Sequence, residues 1–455
     1  MAKQNFDYDL IVIGSGAAGS VAAEIVARAG RRVAIIENGT LGGQAPMTAD
    51  IPVQALLTAA HTYDRARQGA AFGLRSQTLG YNYPSVKAWK DLAVKRSGAA
   101  ASEDYFRSRG ISVFRGAAHF ISPNEITVNR RHLSAVNFLV ASGSRWYIPD
   151  IVGLGKIDYL TPDTAIDLMR PPKSLFIVGA GESGTEMAEL FSIFGTKVTL
   201  ADIKKRILPK SDDEVSELVE NAMHTERGVN ILTSARVIRV AFEGLLTRVT
   251  YLRGNEEHTT KVEKVLIAAG RTPNIDLGLT NARVNFSENG IEVNENLQSS
   301  AHHIYAAGDV IGRMGQTHTA ILESRTTAAN ILGKKLSPDY RAMPHVIHLY
   351  PEVASVGLNE TDLARGDIKH KKIVVPIAGA ARASTANFYH GFVKLITDKQ
   401  KVLIGATIVA PTAGEMIHEL ALAIQYGMTT NQVAEVTHAF GSWSEVIRMA
   451  CAKLR

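Results

Sequence analysis

Apolar residues fall into short blocks separated by glycine turns, and two such stretches repeat one plan. The first begins YDLIVI (Tyr8 to Ile13), turns through Gly14-Ser15-Gly16-Ala17-Ala18-Gly19, continues as an alanine-rich stretch that predicts a helix, and ends with RRVAIIE at Glu37. The second begins SLFIV, turns through Gly179-Ala180-Gly181-Glu182-Ser183-Gly184, predicts another helix, and ends with TKVTLAD at Asp202. First glycine and terminal acid lie 23 residues apart in both copies. Strand, glycine turn, helix and acid-ended strand make a complete βαβ unit for a dinucleotide. The first glycine permits the turn, the second lets the backbone approach a pyrophosphate, and the third allows close packing of helix on strand. The pyrophosphate then meets N–H groups at a helix N-terminus, and the acid accepts from a ribose diol. One such fingerprint is weak evidence. Two with matching acids predict two nucleotide sites, a flavin and a nicotinamide dinucleotide joined in a hydride relay.

Composition narrows the class. A chain of 455 residues predicts two or three domains. Its 50 basic and 44 acidic residues give +6, and the basic ones are scattered, which argues against a nucleic-acid partner. Cys451 stands alone, so neither an internal disulfide nor a cysteine-rich metal site is possible. A surface thiol is the expectation for it. The histidines at 302, 303, 345 and 348 show no carboxylate spacing that joins them into a site, so no metal is expected. The start MAKQNFDYDLIVIG carries no separate apolar run, and no stretch approaches the roughly 20 apolar residues of a membrane helix. A cytoplasmic protein without membrane insertion is expected.

Further motifs extend the pattern: LVASGSR (Leu139 to Arg145), VLIAAGRTPN (Val265 to Asn274), IYAAGDV (Ile304 to Val310), THTAILESR from Thr317, and YPEVASVGL (Tyr350 to Leu358). With the two fingerprints, the chain resembles the FAD-dependent pyridine nucleotide–disulfide oxidoreductases, the family of dihydrolipoamide dehydrogenase, glutathione reductase and mercuric reductase. The resemblance covers nearly the whole chain. It implies an α/β fold: two Rossmann-like dinucleotide-binding domains, for FAD and NAD(P), and a C-terminal α+β dimerisation domain. The FAD domain would comprise 1–150 and 272–340, the NAD(P) domain 151–271 and the interface domain 341–455, with the chain a homodimer. For FAD it implies the first fingerprint with Glu37, then Gly43, Ala117, Ser142, Gly143, Asp309 on the ribityl chain, and Thr317 and His318 at a helix start facing the flavin. For the nicotinamide cofactor it implies Gly179, Gly181, Glu182, Ser183, Asp202 and Gly270. Asp202 favours NADH by bonding a free 2′-hydroxyl, whereas Lys204, Lys205 and Arg206 could offset the repulsion of a 2′-phosphate, so NADPH stays open.

The departures are confined to what the resemblance implies is the acceptor side of the flavin. The family stretch that reads roughly LGGTCLNVGCIPSKALL is here LGGQAPMTADIPVQALL (Leu41 to Leu57), with Ala45 and Asp50 at the two redox-cysteine positions. Gln54 replaces a lysine that lies by the flavin in the family and pairs with a glutamate, here Glu186. The family's HAHPTLSE segment is here His438-Ala439-Phe440-Gly441-Ser442-Trp443-Ser444-Glu445: the catalytic histidine becomes Phe440, while Glu445 survives. His438 matches the family's non-catalytic histidine and reads as a hydrogen-bonded interface residue, or else as a relocated proton carrier. Thiols, base and lysine are missing together, so the losses agree with one another. An ionised Asp50 about 4 Å from a reduced, anionic flavin would cost roughly 4 kcal/mol at an effective dielectric of about 20. Asp50 thus either holds a proton when the flavin is reduced, and donates it to an acceptor, or serves only to cap the helix that follows.

The implied activity is an NAD(P)H dehydrogenase of diaphorase type. Electrons pass through FAD directly to a small-molecule, non-disulfide acceptor such as a quinone, dye, metal ion, oxygen or second nicotinamide. The catalytic candidates are Asp50, Glu445, Glu186, Gln54 and Ala45, the last marking the lost cysteine. Two alternatives stand beside it. One is a flavoenzyme with a dedicated substrate in place of the dithiol, in a pocket lined by Ala45 and Asp50 and by Phe440, Trp443 and Glu445 of a second copy. The other is a non-catalytic flavin-binding or redox-sensing protein.

Overall fold

Leu10 and Val12 pack on one face of a sheet and Ile11 and Ile13 on the other, so Tyr8–Ile13 is a strand covered on both sides. That two-sided burial is why its apolar run is unbroken. A computed structural model describes residues 6–75, 79–98, 101–313 and 315–454. Residues 1–5, part of the N-terminal stretch read above, lie outside them. The chain divides into two compact units.

The first unit is Met1–Ala55, Ala88–Tyr147 and Gly270–Pro338. Its seven-stranded sheet runs Ile111–Arg115, Val33–Glu37, Tyr8–Ile13, Arg131–Val140, Glu125–Val128, Ala118–Ser122, and Ile304–Ala306 also pairs with Arg131–Val140. The ten-residue strand Arg131–Val140 does two jobs. Its first half pairs antiparallel with Glu125–Val128, and its second half lies parallel between Tyr8–Ile13 and Ile304–Ala306. Helix Ala17–Arg28 lays Ala18, Ala22, Ala23 and Val26 on Leu10, Val12, Val33 and Ile35. Small alanines there let the helix come close to the sheet.

The second unit is Leu56–Lys87, Ile148–Ala269 and Asp339–Arg455. It holds a four-stranded parallel sheet (Asn230–Leu232, Lys197–Ala201, Ser174–Val178, Lys264–Ile267) and a three-stranded meander from Ala235 to Val262. A five-stranded antiparallel sheet runs in the order Pro344–Ile347, Glu352–Gly357, Leu403–Ala410, Phe392–Thr397, Lys371–Pro376. Residues 56–87 join this unit through polar and aromatic contacts. Asp64 pairs with Arg227 at 2.7 Å, Tyr81 Oη donates to Phe194 O at 2.6 Å, and Tyr63 stacks on Phe194.

Cys451 is not a surface thiol. It lies fully buried on helix Glu445–Lys453 beside Val446, Ile447 and Ala450, the spacing of one helix face. Each large apolar side chain buried there contributes about 1.5–3 kcal/mol. Burial, with the Glu419 charge as a lesser cause, pushes the thiol up to about 12, so it stays protonated and inert at neutral pH. Among the described residues, no helix is long and apolar enough to cross a membrane.

Candidate functional site

In the first unit, the fingerprint residues converge on one cradle. Gly14 has φ +104°, and a Cβ on it would lie 2.2 Å from Ala141 O. A Cβ on Gly19 would lie 1.9 Å from Gly14 O. Gly43 comes so near Gly16 that a Cβ would sit 2.6 Å from the Gly16 Cα. The glycines are therefore required for backbone to lie on backbone. Ser15 donates to Glu37 Oε2 through its N–H (2.8 Å) and its hydroxyl (2.6 Å), and accepts from Gly42 N–H at 3.1 Å. Gly39 N–H donates to Glu37 Oε1 at 2.6 Å, which orients the acid and, with the two bonds from Ser15, leaves one of its roughly four lone-pair positions for a ribose. Helix Ala17–Arg28 starts here with no acid in its first turn, so an anionic pyrophosphate would meet its N–H groups unopposed. The cradle fits a dinucleotide.

The rest of the expected flavin set lies in the same unit. Ser142 Oγ donates to Asn274 O (2.7 Å), Asn274 Nδ2 donates back to Ser142 O (2.9 Å), and Asn274 N–H donates to Gly143 O (2.9 Å). Ala117 is exposed beyond Gly116, whose N–H donates to Glu37 O at 2.9 Å. Asp309 Oδ2 accepts from Ser144 Oγ at 2.5 Å, and Ser144 Oγ accepts from Arg271 Nε at 2.7 Å. Arg271 Nη2 also bonds the Gln44 carboxamide oxygen, while its guanidinium lies over Trp146 at 4.6 Å. Sequence reasoning gave no role to Arg271, Gln44, Ser144 or Trp146. Three of the four sat inside quoted motifs, but no local spacing links them.

Ala45 belongs to the short helical turn Gln44–Met47, and Asp50 opens helix Asp50–Arg67 with Gln54 one turn further along. Thr317 and the exposed His318 open helix Thr317–Ile331, which also has no acid in its first turn. Thr317 Oγ donates to Asp50 Oδ2 at 2.6 Å. The Asp50 carboxylate is thus tied to the start of a second helix.

The second unit repeats the cradle. Gly179 has φ +107°, and a Cβ on Gly184 would lie 1.9 Å from Gly179 O, while the space beside Gly181 is open. Asp202 Oδ2 accepts from Ala180 N–H and Oδ1 from Lys204 N–H, both at 2.7 Å. Arg206 is engaged by Asp213 and by Ser211 O (3.0 Å), whereas Lys204 and Lys205 are exposed. Glu182, the first residue of helix Glu182–Ile193, lies 2.9 Å from His345 Nε2, and half-buried Ser183 follows it. Gly270 falls in the first unit, where its carbonyl accepts from Tyr147 N–H at 2.9 Å.

Glu186 and the segment from His438 to Glu445 also lie in the second unit. Glu186 accepts from His348 N–H at 3.0 Å. His438 is held at both ring nitrogens, by Glu419 Oε1 at 2.8 Å and Val436 O at 2.9 Å, and its side chain is 5% exposed. Phe440 is 87% exposed, and Glu445 begins the last helix. Among the described residues, one carboxylate group could hold a cation: Asp212, Glu214 and Glu360. The Lys394 ammonium already occupies its centre.

Residues 8–324 match the pyridine nucleotide-disulphide oxidoreductase family, and residues 343–451 match that family's dimerisation domain. A mercuric reductase from Staphylococcus aureus is 32% identical over 448 residues, covering 98% of this chain and 82% of the relative. A dihydrolipoyl dehydrogenase from the same organism is 33% identical over 452 residues, covering 98% and 96%. Among solved structures, LpdA from Mycobacterium tuberculosis superposes with a TM-score of 0.87 at 27% identity, over 98% of this chain and 99% of that one. The Escherichia coli flavoprotein disulfide reductase RclA superposes with a TM-score of 0.86 at 24% identity, over 98% and 100%, a likeness of fold.

Proposed function

The chain belongs to the pyridine nucleotide-disulphide oxidoreductase family, and within it we propose an FAD-dependent NAD(P)H oxidoreductase that delivers electrons directly to a small, non-disulfide acceptor. The observation that carries this reading is the pairing of two complete nucleotide cradles with Ala45 and Asp50 at positions where the family resemblance implies a cysteine pair. The one thiol of the chain, Cys451, is buried and protonated, so no cysteine relay replaces the missing one. FAD, when bound, supplies the two-electron carrier between nicotinamide and acceptor.

Glu37 with the glycine turns holds its ribose and pyrophosphate end, and Asp309, oriented by Ser144 and Arg271, holds its ribityl chain. The chain acts as a homodimer through its dimerisation domain, and the acceptor is a quinone, dye, metal ion, oxygen or second nicotinamide. NADH is the preferred donor. Asp202 is fixed by two backbone N–H groups and Arg206 is committed to Asp213 and Ser211, so fewer cations remain to receive a 2′-phosphate.

Asp50 is the proton donor to the bound acceptor, with Thr317 fixing its orientation. Asp50→Asn should lower acceptor reduction by roughly a hundredfold and remove the fall in rate with rising pH that a proton donor imposes, with FAD content unchanged. Steady-state kinetics across pH check this. Unchanged turnover and an unchanged profile would reduce Asp50 to a helix-start acid.

A further inference from the structure

The two fingerprints differ in one charged place. Helix Ala17–Arg28 has no acid in its first turn, whereas Glu182–Ile193 begins with Glu182. An acid at a helix N-terminus ordinarily helps the helix. At a dinucleotide cradle it competes with the pyrophosphate for the same N–H groups and the same positive end of the dipole. The chain sets another element against that charge: His345, on strand Pro344–Ile347, places its buried Nε2 2.9 Å from Glu182 Oε2. Burial pushes the Glu182 carboxyl up, but His345 and the Lys210 charge together outweigh it and hold the group below the ordinary carboxylate range. The carboxylate is therefore ionised and held against the His345 ring. We propose that Glu182 and His345 set the affinity of the second cradle for pyridine nucleotides, Glu182 as a negative brake on the pyrophosphate and His345 as the positioning residue that draws it aside.

The inference rests on the nucleotide-binding reading of the second fingerprint. It predicts effects of opposite sign from two neighbours in contact. The oxidised holoenzyme is titrated calorimetrically with NAD+ and with ADP-ribose, which keeps the pyrophosphate and lacks the nicotinamide. Glu182→Gln should tighten both ligands and His345→Ala should weaken both, each by about three- to fivefold, the scale of a partly exposed polar contact. The double variant should bind like Glu182→Gln, and added salt should shrink the spread. FAD content and melting temperature confirm the fold of each variant, and the sign of Glu182→Gln decides the matter even if His345→Ala unfolds.

A merely structural tether predicts the reverse pattern: Glu182→Gln weakens binding as His345→Ala does, and the double variant gains nothing. That result, or equal affinities throughout, overturns the proposal. A wild-type protein that binds neither ligand overturns the nucleotide reading itself, a separate outcome that takes this proposal with it.

Discussion

Lys394→Met should destabilise the protein by about 3 kcal/mol, the low end of the cost of breaking a buried ion pair, because Asp212 is buried while Glu214 and Glu360 are half-exposed. Strand Phe392–Thr397 is buried at every position, and Lys394 is the one charged side chain within it, with no solvent exposure. Its ammonium lies 3.0 Å from Asp212 and 3.1 Å from Glu214, and bonds Glu360 directly. Burial pulls Lys394 down, but the three carboxylates together hold it above the ordinary lysine range. Glu360 is pushed up by burial and brought lower overall by Lys372 and Lys394. The signs then fix the pH window. The depressed Glu360 stabilises the fold above its unfolded value and loses that as pH falls through its folded one. The raised Lys394 stabilises below its unfolded value and loses that as pH rises through its folded one. Methionine keeps the stem and removes the charge, so the gap between wild type and variant should be widest near neutrality. It should narrow in acid, where the carboxylates take up protons. Denaturant unfolding at pH 7 and pH 4 measures it. A gap under about 1 kcal/mol at pH 7, the range of an exposed pair, would show that the cluster is solvated.

Gly184→Ala should slow nucleotide-driven reduction by roughly a hundredfold while leaving FAD in place. A Cβ there would meet the Gly179 carbonyl oxygen at 1.9 Å, and the neighbour is backbone that cannot swing aside. The start of helix Glu182–Ile193 must shift away from its turn, carrying with it the N–H groups that receive the pyrophosphate. A displacement near 1 Å costs roughly a hundredfold in a positioned reaction. Gly19 and the flavin cradle belong to the other unit and keep their own contacts. The expected variant is yellow, folded and nearly inert to NADH in stopped flow. Reduction within a few-fold of wild type would show that the cradle tolerates the shift.

The parts legible in the sequence were those whose contacts are local. Gly14 and Gly19 touch across one turn, and Ser15 reaches Glu37 within the same βαβ unit, so spacing alone reported them. The α/β class and the family followed from the same short-range patterns. The helix face carrying Cys451 was also local, at 446, 447, 450 and 451, but a lone cysteine drew the reading of a surface thiol instead. Other features were not legible because the chain brings together distant residues of unremarkable type. Arg271 meets Gln44 across 227 positions, Thr317 meets Asp50 across 267, and Lys394 meets Glu214 across 180. A threonine opening a helix or a lysine in a strand carries no sign of its partner. Asp50 shows the limit most clearly: its unusual place was visible in the sequence, and the hydroxyl that fixes it was not.

The central claim is that electrons leave the flavin without passing through protein thiols. Its most direct test is an anaerobic titration of the purified holoenzyme with NADH and with NADPH, following the flavin absorbance. The account predicts rapid bleaching, faster with NADH, with two electrons taken up per FAD and no long-wavelength thiolate-to-flavin band. Uptake of four electrons per FAD, or flavin that neither nucleotide reduces, would contradict it.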